Sequence, residues 1–174
     1  MRPDEERFTA LFRQHHARVL AYALRRTDAA RADDVVAETF TAAWRHASAL
    51  PDDPLPWLYR TAANCLANQH RSRVRQERLA GRLAGEPART GPDPAHGVVE
   101  QDRLTDALAR LGAADREALL LVSWEGLDNH AAAYAAGCSA TAFKVRLHRA
   151  RKRLAALLAE PEPDSAPVRP EVAR

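Results

Sequence analysis

Apolar residues recur at three- and four-residue steps near the start of the chain: Phe8, Leu11, Phe12, Val19, Leu20, Ala23 and Leu24. This spacing puts them on one face of an amphipathic helix. Thr27 and Asp28 interrupt the pattern and can cap a second helix, whose apolar face is Val36, Phe40, Ala43 and Ala47. Pro51, Pro54 and Pro56 then stop helix formation, because proline lacks an N–H and restricts the residue before it. A third helix is predicted from near Trp57 into the basic segment around Arg75.

Between Gly85 and Gly97 the periodicity disappears, and Pro87, Gly91, Pro92 and Pro94 give the composition of a flexible linker. Beyond it Leu104, Leu108 and Leu111 mark another helix, and Asp115 is placed to cap the next, which holds Leu119, Leu120, Val122 and Trp124. Two closely spaced helices follow. Pro161, Pro163, Pro167 and Pro170 then end the chain in a polar tail with nothing to bury, predicted to be disordered. The pattern describes an all-α protein of two small helical domains joined by a flexible linker, the second domain containing a helix-turn-helix. The predicted boundaries are residues 1–83 and 101–159 for the domains, 84–100 for the linker and 160–174 for the tail.

The helix-turn-helix is read from Leu127 to Leu157. Ala131, Ala132, Ala133, Ala135 and Ala136 form a small-faced helix that permits close approach; Gly137 can take the left-handed conformation that ends it, and Ser139 can cap its successor. In that successor Phe143, Leu147, Ala150, Leu154 and Leu157 face a core. The opposite face holds Thr141, Val145, His148 and Lys152, flanked by Lys144 and Arg149. Lys and Arg neutralise phosphates, while Thr141, Val145 and His148 are sized to approach base edges. A helical hairpin with a basic surface is the plainer alternative.

The predicted helix after Pro56 carries two stripes. Leu58, Ala62, Cys65 and Gln69 form one; Trp57, Arg60, Asn64, Asn68 and Arg71 form the other. An aromatic ring, two amides and two guanidiniums can stack on an unpaired base, bond its edge and hold its backbone, which suits melted single-stranded DNA. Trp57 as a core plug and the asparagines as solvated positions remain the structural alternatives.

Composition sharpens this picture. Apolar residues are 46% of the chain and aromatics only 6%, so the cores must be built mainly from Ala, Leu and Val. The net charge is only +3, yet from Asn129 to Ala159 there is no acid, while Lys144, Arg146, Arg149, Arg151, Lys152 and Arg153 all fall there. Arg71, Arg73, Arg75 and Arg78 form a second basic run. Two such clusters suit a polyanion; two solvated helix faces are the alternative. Cys65 and Cys138 are far apart and form no CxxC pair, as expected of free thiols in a reducing compartment. No apolar run approaches the roughly 18 residues of a membrane span. The expectation is a cytoplasmic protein without a membrane partner.

Three stretches together resemble the extracytoplasmic-function subfamily of bacterial sigma factors. The first is Ala32-Asp33-Asp34-Val35-Val36-Ala37-Glu38-Thr39-Phe40 with Ala43-Trp44-Arg45. The second is Pro56-Trp57-Leu58-Tyr59-Arg60 with Ala63-Asn64 and Arg71. The third runs from Asp115-Arg116-Glu117 through Trp124-Glu125-Gly126-Leu127 and Gly137-Cys138-Ser139 to Val145–Leu154. The resemblance implies a non-enzymatic initiation factor that carries core RNA polymerase to promoters and helps open them. It implies that Asp34, Glu38 and Arg45 face the polymerase clamp. It also implies that the 50–56 loop, Trp57, Asn64 and Asn68 recognise and melt the minus-ten element. Thr141, Lys144, Val145, His148, Arg149 and Lys152 then read the minus-thirty-five element. Promoter DNA, duplex and melted, and core RNA polymerase are the implied partners, and the resemblance admits an anti-sigma protein as a further one.

The competing class is a free-standing helix-turn-helix regulator, usually a dimer on a palindrome. No dimer helix is evident, and a long linker fits poorly with rigid half-site spacing. An enzyme is disfavoured: His15 and His16 are adjacent, but no metal-ligand spacing, acid pair or nucleophile constellation stands out, and no cofactor or metal is expected. His15, His16, His46 and His70 are expected at surfaces or interfaces.

Overall fold

The computed structural model describes residues 3–84 and 99–160, and all regular structure among them is helical. The first half contains α1 (Pro3–Leu24), α2 (Ala29–Arg45) and α3 (Leu55–Ala84), with one short 3-10 turn at Ala47–Ala49. The second contains α4 (Val99–Arg110), α5 (Ala113–Ser123), α6 (Asn129–Ala135) and α7 (Ala140–Ala159). Residues 85–98 of the expected linker and 161–174 of the expected tail lie outside the described residues. No described helix is long and apolar enough to cross a membrane.

Local chemistry explains most of the element ends. Asp28 takes the extended conformation of a cap and accepts from the Arg31 backbone N–H at 3.0 Å. That bond, aided by the Arg31 guanidinium, holds the Asp28 carboxyl below its ordinary range. α3 starts at Leu55, ahead of the predicted Trp57, because Pro56 falls in the first turn, where a missing N–H has no intrahelical partner to lose. It also continues well past Arg75. α5 departs from expectation as well: Gly112 occupies the cap position, and Asp115 lies inside the first turn, buried, with Arg153 of α7 at 2.7 Å. A carboxylate there meets the positive end of the helix dipole, so the acid still serves the N-terminus without capping it. Arg116 closes the previous helix, donating to the carbonyls of Leu108, Ala109 and Leu111.

The turn between α6 and α7 forms as its residues dictate. Gly137 has φ +68°, its N–H donates to Tyr134 O, and the Cys138 N–H donates to Ala133 O, so α6 ends in a left-handed cap. Ser139 then accepts from the Ala142 N–H at 3.2 Å and starts α7. Ser139→Ala should therefore destabilise the protein by about 1 kcal/mol. Urea unfolding followed by circular dichroism would measure this; an unchanged midpoint would remove Ser139 from the account of the turn.

α1, α2 and α3 bury Val19, Ala23, Val35, Val36, Phe40, Leu58 and Ala62 against one another. The expected face of α1 is only partly correct. Phe12 and Leu24 are exposed, whereas Tyr22 and His15 are buried. His15 is thus a core residue and not a surface histidine; burial, then the charge of Arg18, lowers its pKa, which favours the neutral ring. His16 is half-buried beside Phe12 and Phe40, while His46 and His70 are exposed. In the second half Leu111, Leu121, Phe143, Leu147 and Ala150 form the interior, continuous with the first-half core where α6 packs on α3.

Candidate nucleic-acid interface

The α7 face divides as its periodicity requires. Phe143, Leu147 and Ala150 are buried, and Leu154 and Leu157 are half-buried. Thr141, Lys144, Val145, His148, Arg149 and Lys152 are all exposed. Val145 is 55% exposed, an apolar side chain in solvent among cations, which suits contact with a thymine methyl. Among the described residues none of Lys144, Arg149 and Lys152 is held in an ion pair, so their charges are available to phosphates. Arg153 differs: its pair with Asp115 ties α7 to α5.

On α3 the inward stripe of Leu58, Ala62 and Cys65 is buried, with Gln69 half-buried. Burial, reinforced by nearby Glu38, pushes the Cys65 thiol up to about 11, which keeps it protonated and unreactive near neutral pH. Cys138 is free and half-buried. Along the outer stripe Asn64, Asn68 and Arg71 are exposed, and Trp57 is half-buried with its ring 5.9 Å from that of His46. Arg71 donates to the Asn68 side-chain oxygen, so that amide is partly engaged. Among the described residues no side-chain hydrogen bond occupies Asn64. Arg60 is exposed with them and is also engaged by the second half. Its guanidinium donates to the Tyr134 carbonyl of α6 at 3.2 Å and lies 5.3 Å from that ring.

On α2, Asp34, Glu38 and Arg45 are exposed, while Val36 and Phe40 point inward. Glu38 accepts from the Gln69 amide at 3.3 Å. The sequence reading missed the neighbouring aromatic patch. Phe12 is 38% and Trp44 46% exposed; Phe8 meets Trp44 edge-on at 5.0 Å, and Phe12 meets Phe40 at 4.8 Å. The i, i+4 pairs Phe8–Phe12 and Phe40–Trp44 were the available signal, hidden because aromatics at helical spacing are read first as core.

Residues 11–76 match the family model for sigma-70 region 2, and residues 101–154 match that for sigma-70 region 4. The chain belongs to the extracytoplasmic-function sigma factors. The factor is 34% identical over 157 residues to the sigma factor SigL of Mycobacterium tuberculosis, covering 87% of this chain and 88% of that one. It is 36% identical over 155 residues to the sigma factor NccH of Alcaligenes xylosoxydans xylosoxydans, covering 83% of each. Among solved structures it is similar to the sigma factor RpoE of Bartonella quintana, in complex with the anti-sigma factor NepR. There the TM-score is 0.68 with 26% identity, covering 87% of this chain and 96% of that one. It is also similar to CnrH in complex with the cytosolic domain of CnrY, with TM-score 0.60 and 31% identity over 87% and 86% of the two chains.

Proposed function

We propose that the factor binds core RNA polymerase through α2, opens the minus-ten element with α3 and reads the minus-thirty-five element with α7. The observation that carries this reading is the presence, in one chain, of two exposed faces suited to different forms of DNA. The α3 stripe of Asn64, Asn68 and Arg71 offers amides to the edge of an unstacked base, with a cation for its backbone. The α7 face offers cations and small side chains to a duplex major groove. Asp34, Glu38 and Arg45 give a polymerase surface a charge pattern to match. RNA synthesis itself belongs to the polymerase, and the factor works where that enzyme works, in the cytoplasm. The solved complexes of its relatives make an anti-sigma protein a reasonable additional partner.

Run-off transcription with purified core polymerase on a promoter library tests the reading. Specific initiation that requires both the factor and core enzyme is expected. Tight footprinting by the factor alone at physiological salt, with no stimulation of core enzyme, would instead identify a free-standing regulator.

Two α7 substitutions should differ in kind. Arg149→Ala should weaken upstream-element binding on all sequences and reduce the log–log salt slope by about 0.9, the loss of one phosphate contact. His148→Ala should change base preference at one position. Binding isotherms across salt and across single-base variants separate the two; a uniform loss for His148→Ala would move that residue to the backbone.

A further inference from the structure

The polymerase and DNA contacts proposed above leave His46 unused. It follows Arg45 at the end of α2 and is exposed. Its backbone N–H closes the helix on the Ala42 and Ala43 carbonyls, which any residue but proline would do. The ring is held separately: Nδ1 lies 2.9 Å from the Ala42 carbonyl oxygen. A carbonyl only accepts, so in the neutral ring Nδ1 carries the proton. Nε2 is then an acceptor, on the side of the ring away from that anchor.

The neighbour of this ring is Trp57. The two centroids are 5.9 Å apart and the planes are inclined at 49°, which is ring contact. Trp57 is half-buried and lies two turns before Asn64 on the outer stripe of α3. A base stacked on the open part of the Trp57 ring therefore has an imidazole at its edge. The anchor on Ala42 sets the direction of that imidazole before the base arrives, so little ordering is left to be lost on binding.

The acceptor selects what can meet it. A phosphate oxygen also only accepts, so a neutral His46 ring is not a backbone contact. Adenine, cytosine and guanine each present an exocyclic amine, which is a donor. Thymine has no amine, and its ring N–H lies between two carbonyl oxygens that the same lone pair repels.

Resting on the minus-ten reading of α3, we propose that His46 is a further specificity-determining residue for promoter opening. With Trp57 it cradles one unstacked base: Trp57 supplies the stacking face, and His46 Nε2 accepts a hydrogen bond from the exocyclic amine of the base. About 10 Å of helix separates Trp57 from Asn64, so the cradled base is a different one from that read by Asn64. The cradle favours an amine-bearing base at its position and disfavours thymine.

Binding of labelled single-stranded oligonucleotides to the factor assembled with core polymerase tests the cradle. The oligonucleotides carry the minus-ten sequence of a promoter selected by run-off transcription. Each amine-bearing base is replaced in turn by the analogue without its amine: purine for adenine, 2-pyrimidinone for cytosine, hypoxanthine for guanine. At one position the parent should bind the analogue about fivefold more weakly, the loss of one neutral hydrogen bond. His46→Ala should bind the natural strand about fivefold more weakly and lose nothing further with that analogue. At every other position the two proteins should respond alike. Parental affinity in His46→Ala overturns the proposal, as does an amine dependence that His46→Ala retains at every position. If His46→Ala loses helical circular dichroism, His46→Phe decides. It keeps a ring against Trp57 without an acceptor, and amine dependence that persists in it overturns the cradle. An assembled parent that fails to bind the minus-ten strand at all sinks the minus-ten reading and the cradle together; binding that is indifferent to His46 sinks the cradle alone.

Discussion

Replacing Asn64 by Ala is expected to reduce promoter opening by about ten- to a hundredfold, the loss of one bidentate base contact. Closed-complex formation should stay near normal, because α7 and the α2 surface are untouched. Asn64 is exposed, opposite the buried Leu58, Ala62 and Cys65, and among the described residues no side-chain hydrogen bond holds it. Ala is the better helix former, so α3 should persist. An amide at a solvated helix position lowers helix propensity and buries nothing, whereas its paired donor and acceptor fit the edge of an extruded base. Asn68 should matter less, since Arg71 already engages its oxygen. Permanganate reactivity of promoter thymines reports the open state. On a template already mismatched through the bubble the strand-separation defect should shrink, while any loss of base capture remains. Parental opening of every promoter by Asn64→Ala would make the residue a solvated helix position.

Reversing charge on α2 should have a comparable effect at a different step. Glu38→Lys combined with Arg45→Glu is expected to lower affinity for core polymerase roughly a hundredfold, because like charges brought together at an interface cost several kcal/mol. Both side chains are exposed, and neither contributes to the Val36–Phe40 packing. Each change should therefore alter stability by less than about half a kcal/mol, even with the Gln69 contact to Glu38 removed. Affinity can be measured by fluorescence anisotropy with labelled factor, and folding by thermal denaturation. Parental affinity in the double variant would take the polymerase contact away from these residues and leave the Phe12 and Trp44 patch to carry it.

Features set by neighbouring residues were legible in the sequence. The burial of Val36, Phe40 and Ala43 follows from a 3.6-residue period. The Gly137–Ser139 turn follows from the conformational freedom of glycine and the capping power of serine. The α7 faces separate because Phe143 and Leu147 cannot share a side with Lys144 and His148. What escaped depends on distance along the chain. Arg26 and Glu117 are 91 positions apart, and Arg18 and Glu125 are 107 apart, so no local period marks them as partners. Tyr22 was passed over and His15 was expected at a surface or interface, because a polar tip on an apolar ring gives an ambiguous hydropathy. Arg60 was assigned by its spacing to the DNA-facing stripe, and its contact with Tyr134 arises from the other half of the molecule. Asp115 was read as a cap because acids favour helix starts, but the dipole rewards it equally within the first turn.

The composition of α6 has a mechanical consequence. The helix that meets α3 carries Ala131, Ala132, Ala133 and Ala135 and no leucine. Apolar burial stabilises by about 25 cal/mol for each square ångström removed from water, and a methyl group contributes little area. The seam therefore fits closely without adhering strongly, like a smooth hinge plate rather than interlocking teeth. Leucines in place of the buried alanines would overfill that seam and push α6 away from α3.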